Sequence, residues 1–167
     1  MVLSALFPLL SMSSCLDLGQ APGTCACSSP EMAARPKFGL VVCDGTITDG
    51  GFLSMLYLGV TTAVDDSSTP ACYDVWSGDA CNDATWAEAT AQFATYDMVL
   101  CAGFQNGQLV YAAAEQNPSV SFVLGDASVA NLGPALPNLQ GVQFASDQSA
   151  YAVGFLAGLV TRSGIIG

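Results

Sequence analysis

Three short polar segments hold the side chains best able to do chemistry, and each follows an apolar run. Asp44, Thr46, Thr48 and Asp49 come after FGLVVC; Gly103, Phe104, Gln105 and Asn106 come after MVLCA; Asp126 and Ser128 come after VSFVL. An ionised aspartate is a strong acceptor, a phenyl ring offers a flat apolar face, and glycine lets another group approach the backbone. The same residue types also serve as plain turn formers and helix caps. The chain has no histidine. That removes Ser-His-Asp and Cys-His catalysis and every His-containing metal site, and leaves carboxylates, thiols and backbone amides. Binding is favoured over catalysis, and no cofactor is expected. GxGxxG, P-loop and GxSxG patterns are absent, and Gly103-x-x-x-Gly107 lacks the Lys and Ser/Thr of a phosphate cradle.

The run VVCDGTITDGG looks like the first motif of haloacid-dehalogenase-type phosphatases, but Val42 stands where the nucleophilic aspartate would be. No aspartyl-phosphate can form there. With 14 acidic and 3 basic residues the formal charge is −11, and the cations are Arg35, Lys37 and Arg162. No basic stripe exists to neutralise phosphates, so nucleic acid is excluded as a partner. The cysteines are Cys15, Cys25, Cys27, Cys43, Cys72, Cys81 and Cys101, an odd number, 7. Cys72 and Cys81 bracket a short polar segment and form a candidate disulfide in an oxidising compartment, or else two ordinary thiols. Cys25-Ala26-Cys27 lacks the second pair a zinc ribbon needs.

These segments need a frame to converge, and 167 residues with 51% hydrophobic and 10% charged composition suffice for one folded domain. Short apolar runs alternate with helical periods from Lys37 onward, the pattern of βαβ units and a parallel sheet. Strands are expected at Phe38–Cys43, Tyr73–Trp76, Met98–Ala102, Val120–Leu124 and Val142–Phe144. Helices are expected over 50–64, from Asp83 with Trp86, Ala89 and Phe93 on one face and Asn82 or Asp83 as cap, over 106–116, and over 149–161 with Tyr151, Phe155 and Leu159 on a common face. Gly164 reads as the stop of the last helix, and Ile165-Ile166-Gly167 as the start of another strand. Residues 1–36, rich in Ser, Pro, Gly and Cys beyond the first apolar run, read as a leader or linker. The apolar start has signal-peptide length without a basic n-region; Met12-Ser13-Ser14-Cys15 makes Cys15 a weak lipidation candidate, and a disordered leader is the alternative.

The blocks KFGLVVCDGTITDGGFLSMLYLGV, YDMVLCAGFQNGQLVYAAAEQNPSVSFVLGD and GVQFASDQSAYAVGFLAGLVTRSGIIG, in that order and spacing, resemble the basic membrane protein family of substrate-binding proteins. This is the PnrA-like group of the type I periplasmic-binding fold that serves ABC transporters. The resemblance covers residues 37–167 and implies the first lobe of a two-lobed receptor, an α/β fold with a three-layer parallel sheet, reaching the crossover to a second lobe. It implies a purine nucleoside-like ligand, with Asp49 on the base, Phe52 packed against it, Gly103 and Phe104 at the cleft strand end, and Asp126 after the fourth strand. Asp44 joins them as the first polar residue after the first strand. A base needs a flat apolar partner and an acceptor for its N–H groups, which these residue types supply.

The sequence departs from the family at Thr48, where Asn is common, and at Gln148, where an acid is usual, with Asp147 one place off. The implied partners are an ABC permease or, as the alternative, the membrane segment of a ligand-sensing receptor on the same fold. The implied place is extracytoplasmic, secreted or at the cell membrane. A lobe by itself is expected to bind weakly and to be open to dimerisation through its exposed face.

Overall fold

The computed structural model describes Cys27 and residues 34–43, 45–65, 71–78 and 80–166. Strand β1 (Lys37–Cys43) is followed by α1 (Phe52–Asp65), β2 (Cys72–Gly78), α2 (Asp83–Phe93), β3 (Met98–Ala102), a 3₁₀ turn (Phe104–Asn106), α3 (Gly107–Gln116), β4 (Ser121–Gly125), β5 (Leu139–Val142) and α4 (Ser146–Val160). All neighbouring strands pair in parallel, in the order β2-β1-β3-β4-β5. The expected α/β fold with a parallel sheet between helical layers is present.

Continuous apolar runs make β1, β3 and β4, because strands covered on both faces need no polar alternation. On one face Val41, Val99, Cys101, Phe122 and Leu124 meet Trp86, Ala89 and Phe93 of α2 and Val110, Ala113 and Ala114 of α3. Gly39 is required in that layer. A Cβ there would stand 2.7 Å from the Phe93 ring, so only glycine lets the phenyl lie flat on β1. Asn82 caps α2: its Oδ1 accepts from the amides of Ala84 at 3.0 Å and Thr85 at 3.2 Å, and the Thr85 hydroxyl accepts from the Asn82 amide at 3.0 Å. The opposite face is covered unevenly. Leu40 and Val42 of β1 are buried, as are Val60 and Val64 of α1, while the part over β3, β4 and β5 remains open.

The fifth strand lies at Leu139–Val142 rather than 142–144. Asn138 fixes it there: its amide nitrogen reaches the carbonyls of Ala114, Asn117 and Val120 at 2.9, 3.1 and 2.9 Å, so α3, β4 and the start of β5 share one anchor. The last helix ends at Val160, before Gly164, and residues Ile165 and Ile166 form no strand. Cys15 lies outside the described residues.

The expected Cys72–Cys81 bridge is replaced by two others. Cys27 bonds Cys72 and Cys43 bonds Cys81, with Cα atoms 5.3 and 5.2 Å apart. The reason is strand length. β2 runs all 7 residues from Cys72 to Gly78, which carries the chain about 20 Å from Cys72 before Cys81 is reached, far beyond the ~7 Å limit for a bridge. Cys27 is buried, so the segment read as a leader or linker is pinned to the start of β2 at this residue. The two bonds span separations of 45 and 38 residues, and restricting loops of that size in the unfolded chain stabilises the fold by about 2–4 kcal/mol each. Reduction with dithiothreitol therefore lowers the urea midpoint by the corresponding amount; a midpoint that does not move would show that these bonds carry none of the stability.

Candidate functional site

The carboxyl ends of β1, β3 and β4 form one edge, at the point where the order reverses. From β1 the chain crosses to β2 on one side, while from β3 it moves to β4 and β5 on the other. Loops diverge at such a point and leave a crevice. The register aligns the ends: Val41 pairs with Cys101 and Ala102 with Gly125, and the Gly103 amide donates to the Gly125 carbonyl at 3.0 Å. Gly103, Phe104 and Asp126 are thus gathered at one place, and the turn from β1 into α1 brings Asp49 and Phe52 to the same edge. Asp44 lies outside the described residues.

The β1–α1 turn is organised by Asp49. Its Oδ1 accepts from the Gly51 amide at 2.7 Å and from the Ser54 hydroxyl at 2.9 Å, and Ser54 Oγ accepts from the Gly50 amide at 3.0 Å. Gly50 adopts φ +73°, a left-handed conformation that glycine tolerates without strain. The Gly51 amide, then the Ser54 hydroxyl, hold the Asp49 carboxyl below its ordinary value. Asp49 is exposed, and its Oδ2 takes no hydrogen bond from the described residues, so a fixed, charged acceptor faces solvent. Nearby, Thr46 and Thr48 share a hydroxyl contact of 2.8 Å.

Phe52 opens α1 and is 46% exposed. It does not stand alone: its ring meets Phe144 edge-on, centroids 6.0 Å apart at 88°. Phe104 is 75% exposed, pushed outward by Gly103, whose φ of 98° turns the chain sharply after β3. Asp126 also has a positive φ, 63°, a conformation Asp adopts more readily than most residues. Beneath this edge Asn106 is buried; its amide nitrogen donates to the Ala102 carbonyl at 2.8 Å while its Oδ1 has no partner among the described residues.

Thiol chemistry is closed off here. Cys43 is oxidised, and burial pushes the Cys101 thiol up to about 12, so it stays protonated. Among the described residues no group of His, Cys, Asp and Glu could hold a metal. Lys37 starts β1 at the far edge of the sheet, and Arg162 follows α4. What the edge offers is aromatic surface, a fixed carboxylate and backbone amides.

Ser54, Phe144 and the Cys43–Cys81 bond were not read from the sequence as parts of the site. The first had a signal: a hydroxyl one turn into the helix after an Asp-Gly-Gly turn reaches back as a cap does. Phe144 and the disulfide depend on distant pairings that spacing does not reveal.

A family model described as ABC transporter substrate-binding protein PnrA-like matches residues 37–167. Among solved structures the chain is similar to a solute-binding protein of an ABC transporter system from Aeropyrum pernix K1, at 24% identity and TM-score 0.58 over 74% of this chain and 32% of that one. It is also similar to one from Conexibacter woesei DSM 14684, at 24% identity and TM-score 0.56 over 74% of this chain and 40% of that one. A fragment described as a lipoprotein from Peptoclostridium difficile 630 aligns at 14% identity and TM-score 0.51 over 76% of this chain and 100% of that one. These likenesses show the fold, and the chain spans less than half the length of either solute-binding protein. No curated protein matches it.

The hydrogen bond from Ser54 has a direct readout. Removing the hydroxyl with Ser54→Ala withdraws a donor to the ionised form, so the Asp49 carboxyl titrates at higher pH than in the parent. A carboxyl-detected NMR titration measures this, and equal titration curves would remove Ser54 from the account.

Proposed function

The chain belongs to the PnrA-like family of ABC transporter substrate-binding proteins, and we propose that it forms the base-holding wall of a cleft for a neutral, purine nucleoside-like solute. The observation that carries this reading is the β1–α1 turn. A carboxylate oxygen locked by Gly51 and Ser54 leaves its companion free for a base N–H, beside the half-exposed Phe52 ring. Locking matters because an acceptor already held in place loses little freedom when ligand arrives. Phe104 and the Gly103 turn supply a second surface, and Asp126 an acceptor for a hydroxyl. Asp44 joins them as the residue that follows β1.

The role is binding and hand-over to a permease, without catalysis. The acidic balance, −11 over the whole sequence, disfavours phosphorylated ligands and suits neutral ones. An extracytoplasmic place agrees with the Cys27–Cys72 and Cys43–Cys81 bonds, which persist in oxidising surroundings. Among the described residues no helix is long and apolar enough to cross a membrane. Because Asp49 and Phe104 lie open to solvent, tight binding requires an opposing wall over them, as ligand sites bury most of the ligand surface.

Ligand-observed NMR titration with inosine, uridine and inosine 5′-monophosphate tests the reading. Inosine is expected to bind more tightly than either of the others. Asp49→Ala and Phe52→Ala each weaken it roughly tenfold, through a lost charge-assisted bond and lost stacking. Binding of the monophosphate in preference to inosine, or indifference to both substitutions, would contradict the proposal.

A further inference from the structure

We propose that Asn106 is a positioning residue of the cleft: from beneath the sheet edge it sets the turn after β3 and thereby the place of the Phe104 ring. The inference deepens the nucleoside reading above and rests on it for the ligand, whereas the turn itself is readable without one.

Gly103 turns the chain with φ 98°. Glycine enters that conformation without strain, but for the same reason its own stereochemistry does not hold it there. Phe104 gives no help, being 75% exposed and meeting no other ring among the described residues. Whatever fixes the turn must act on its backbone, and Asn106 does so twice. Its side-chain nitrogen donates to the Ala102 carbonyl at 2.8 Å, and its main-chain amide donates to the Gly103 carbonyl at 3.0 Å. The Gly107 amide adds a bond to the Phe104 carbonyl. Because the Gly103 amide reaches the Gly125 carbonyl, the turn is tied to β4 on one side and to Asn106 on the other.

Stability alone does not explain this side chain. Ser54 and Asn106 are the buried polar residues among the described ones, and Asn106 is 1% exposed. It precedes α3, yet it makes no side-chain capping bond, and its right-handed helical backbone, φ −85° and ψ −1°, leads straight into the helix. Its Oδ1 is buried with no partner among the described residues, and an unpaired buried acceptor weakens a fold. Reversing the amide gives no relief, because Oδ1 would then face the Ala102 carbonyl, itself an acceptor. Close packing keeps the side chain in place: a Cβ on Gly107 would stand 2.9 Å from Leu132 Cδ2, so the loop after β4 lies against the start of α3. Leucine has nearly the same shape without the unpaired oxygen. What asparagine has and leucine lacks is the donor to Ala102, at the point where β3 ends and Phe104 leaves the sheet.

Asn106→Leu in the full chain tests this, with Asn106→Ala as a second variant should leucine prevent folding. Amide hydrogen exchange is measured without ligand, and inosine affinity by titration. The amides of residues 103 and 106 are expected to exchange about tenfold faster than in the parent, while global stability holds the others. Thr85 and Asn117, whose amides bond elsewhere, keep their rates. Equal acceleration at all four, or none at 103 and 106, would overturn the proposal. Phe104→Ala and Asn106→Leu are each expected to weaken inosine roughly fivefold. The double variant is expected to bind no more weakly than Phe104→Ala, since residues that act through one another do not add. Additive losses would overturn the action through Phe104. A parent that binds no inosine refutes the nucleoside reading, and the exchange rates still decide whether Asn106 holds the turn.

Discussion

Parallel pairing of β1, β3 and β4 sends the turns after all of them out of one edge of the sheet, and everything proposed for this protein depends on that. Asp49, Gly103 and Asp126 lie far apart along the chain. They share a place because Val41 sits beside Cys101 and Ala102 beside Gly125. A slip of one residue would turn Val41, Val99 and Leu124 away from α2 and α3, so burial of those side chains fixes the register and hence the site. The reversal of strand order between β1 and β3 then separates the loops and opens the crevice.

The same topology leaves the two faces of the sheet unequal. Crossovers from β2 to β3 and from β3 to β4 lay α2 and α3 on one side, while the step from β1 to β2 runs the opposite way and, at the same handedness, puts α1 on the other. One helix cannot cover a face of five strands. An apolar groove is the consequence. Phe52 and Phe144 touch at the junction, where they belong both to the rim of the groove and to the neighbourhood of Asp49. The Cys43–Cys81 bond fastens the end of β1 to the residue before the α2 cap, so the site edge is held from the side of α2 also.

Much of the frame was legible because its causes are local. FGLVVC and MVLCA read as strands since strands buried on both faces tolerate no polar residue, and Trp86, Ala89 and Phe93 mark the buried stripe of α2 by spacing alone. The edge strand was misplaced because LQGV is only half apolar and its position is set by Asn138 reaching carbonyls 18 to 24 residues away. Cysteine pairing failed for a related reason: the strand expected at Tyr73–Trp76 runs on from Cys72 to Gly78 and carries the two thiols apart. Periodicity showed that Tyr151, Phe155 and Leu159 share a face needing cover, but it does not say which surface provides it. At the site, the place after the first strand pointed to Asp49 and the family resemblance to Phe52, whereas the lock from Ser54 and the ring of Phe144 required coordinates.

The central claim is that the β1–α1 turn holds the base of a nucleoside. Intermolecular nuclear Overhauser effects between inosine and the isotope-labelled full chain address it most directly. Contacts from the purine protons to the Phe52 ring, with shifts of the Gly50 and Gly51 amides, are the predicted result; contacts confined to the groove at Met55 and Val123, or none at all, would contradict it.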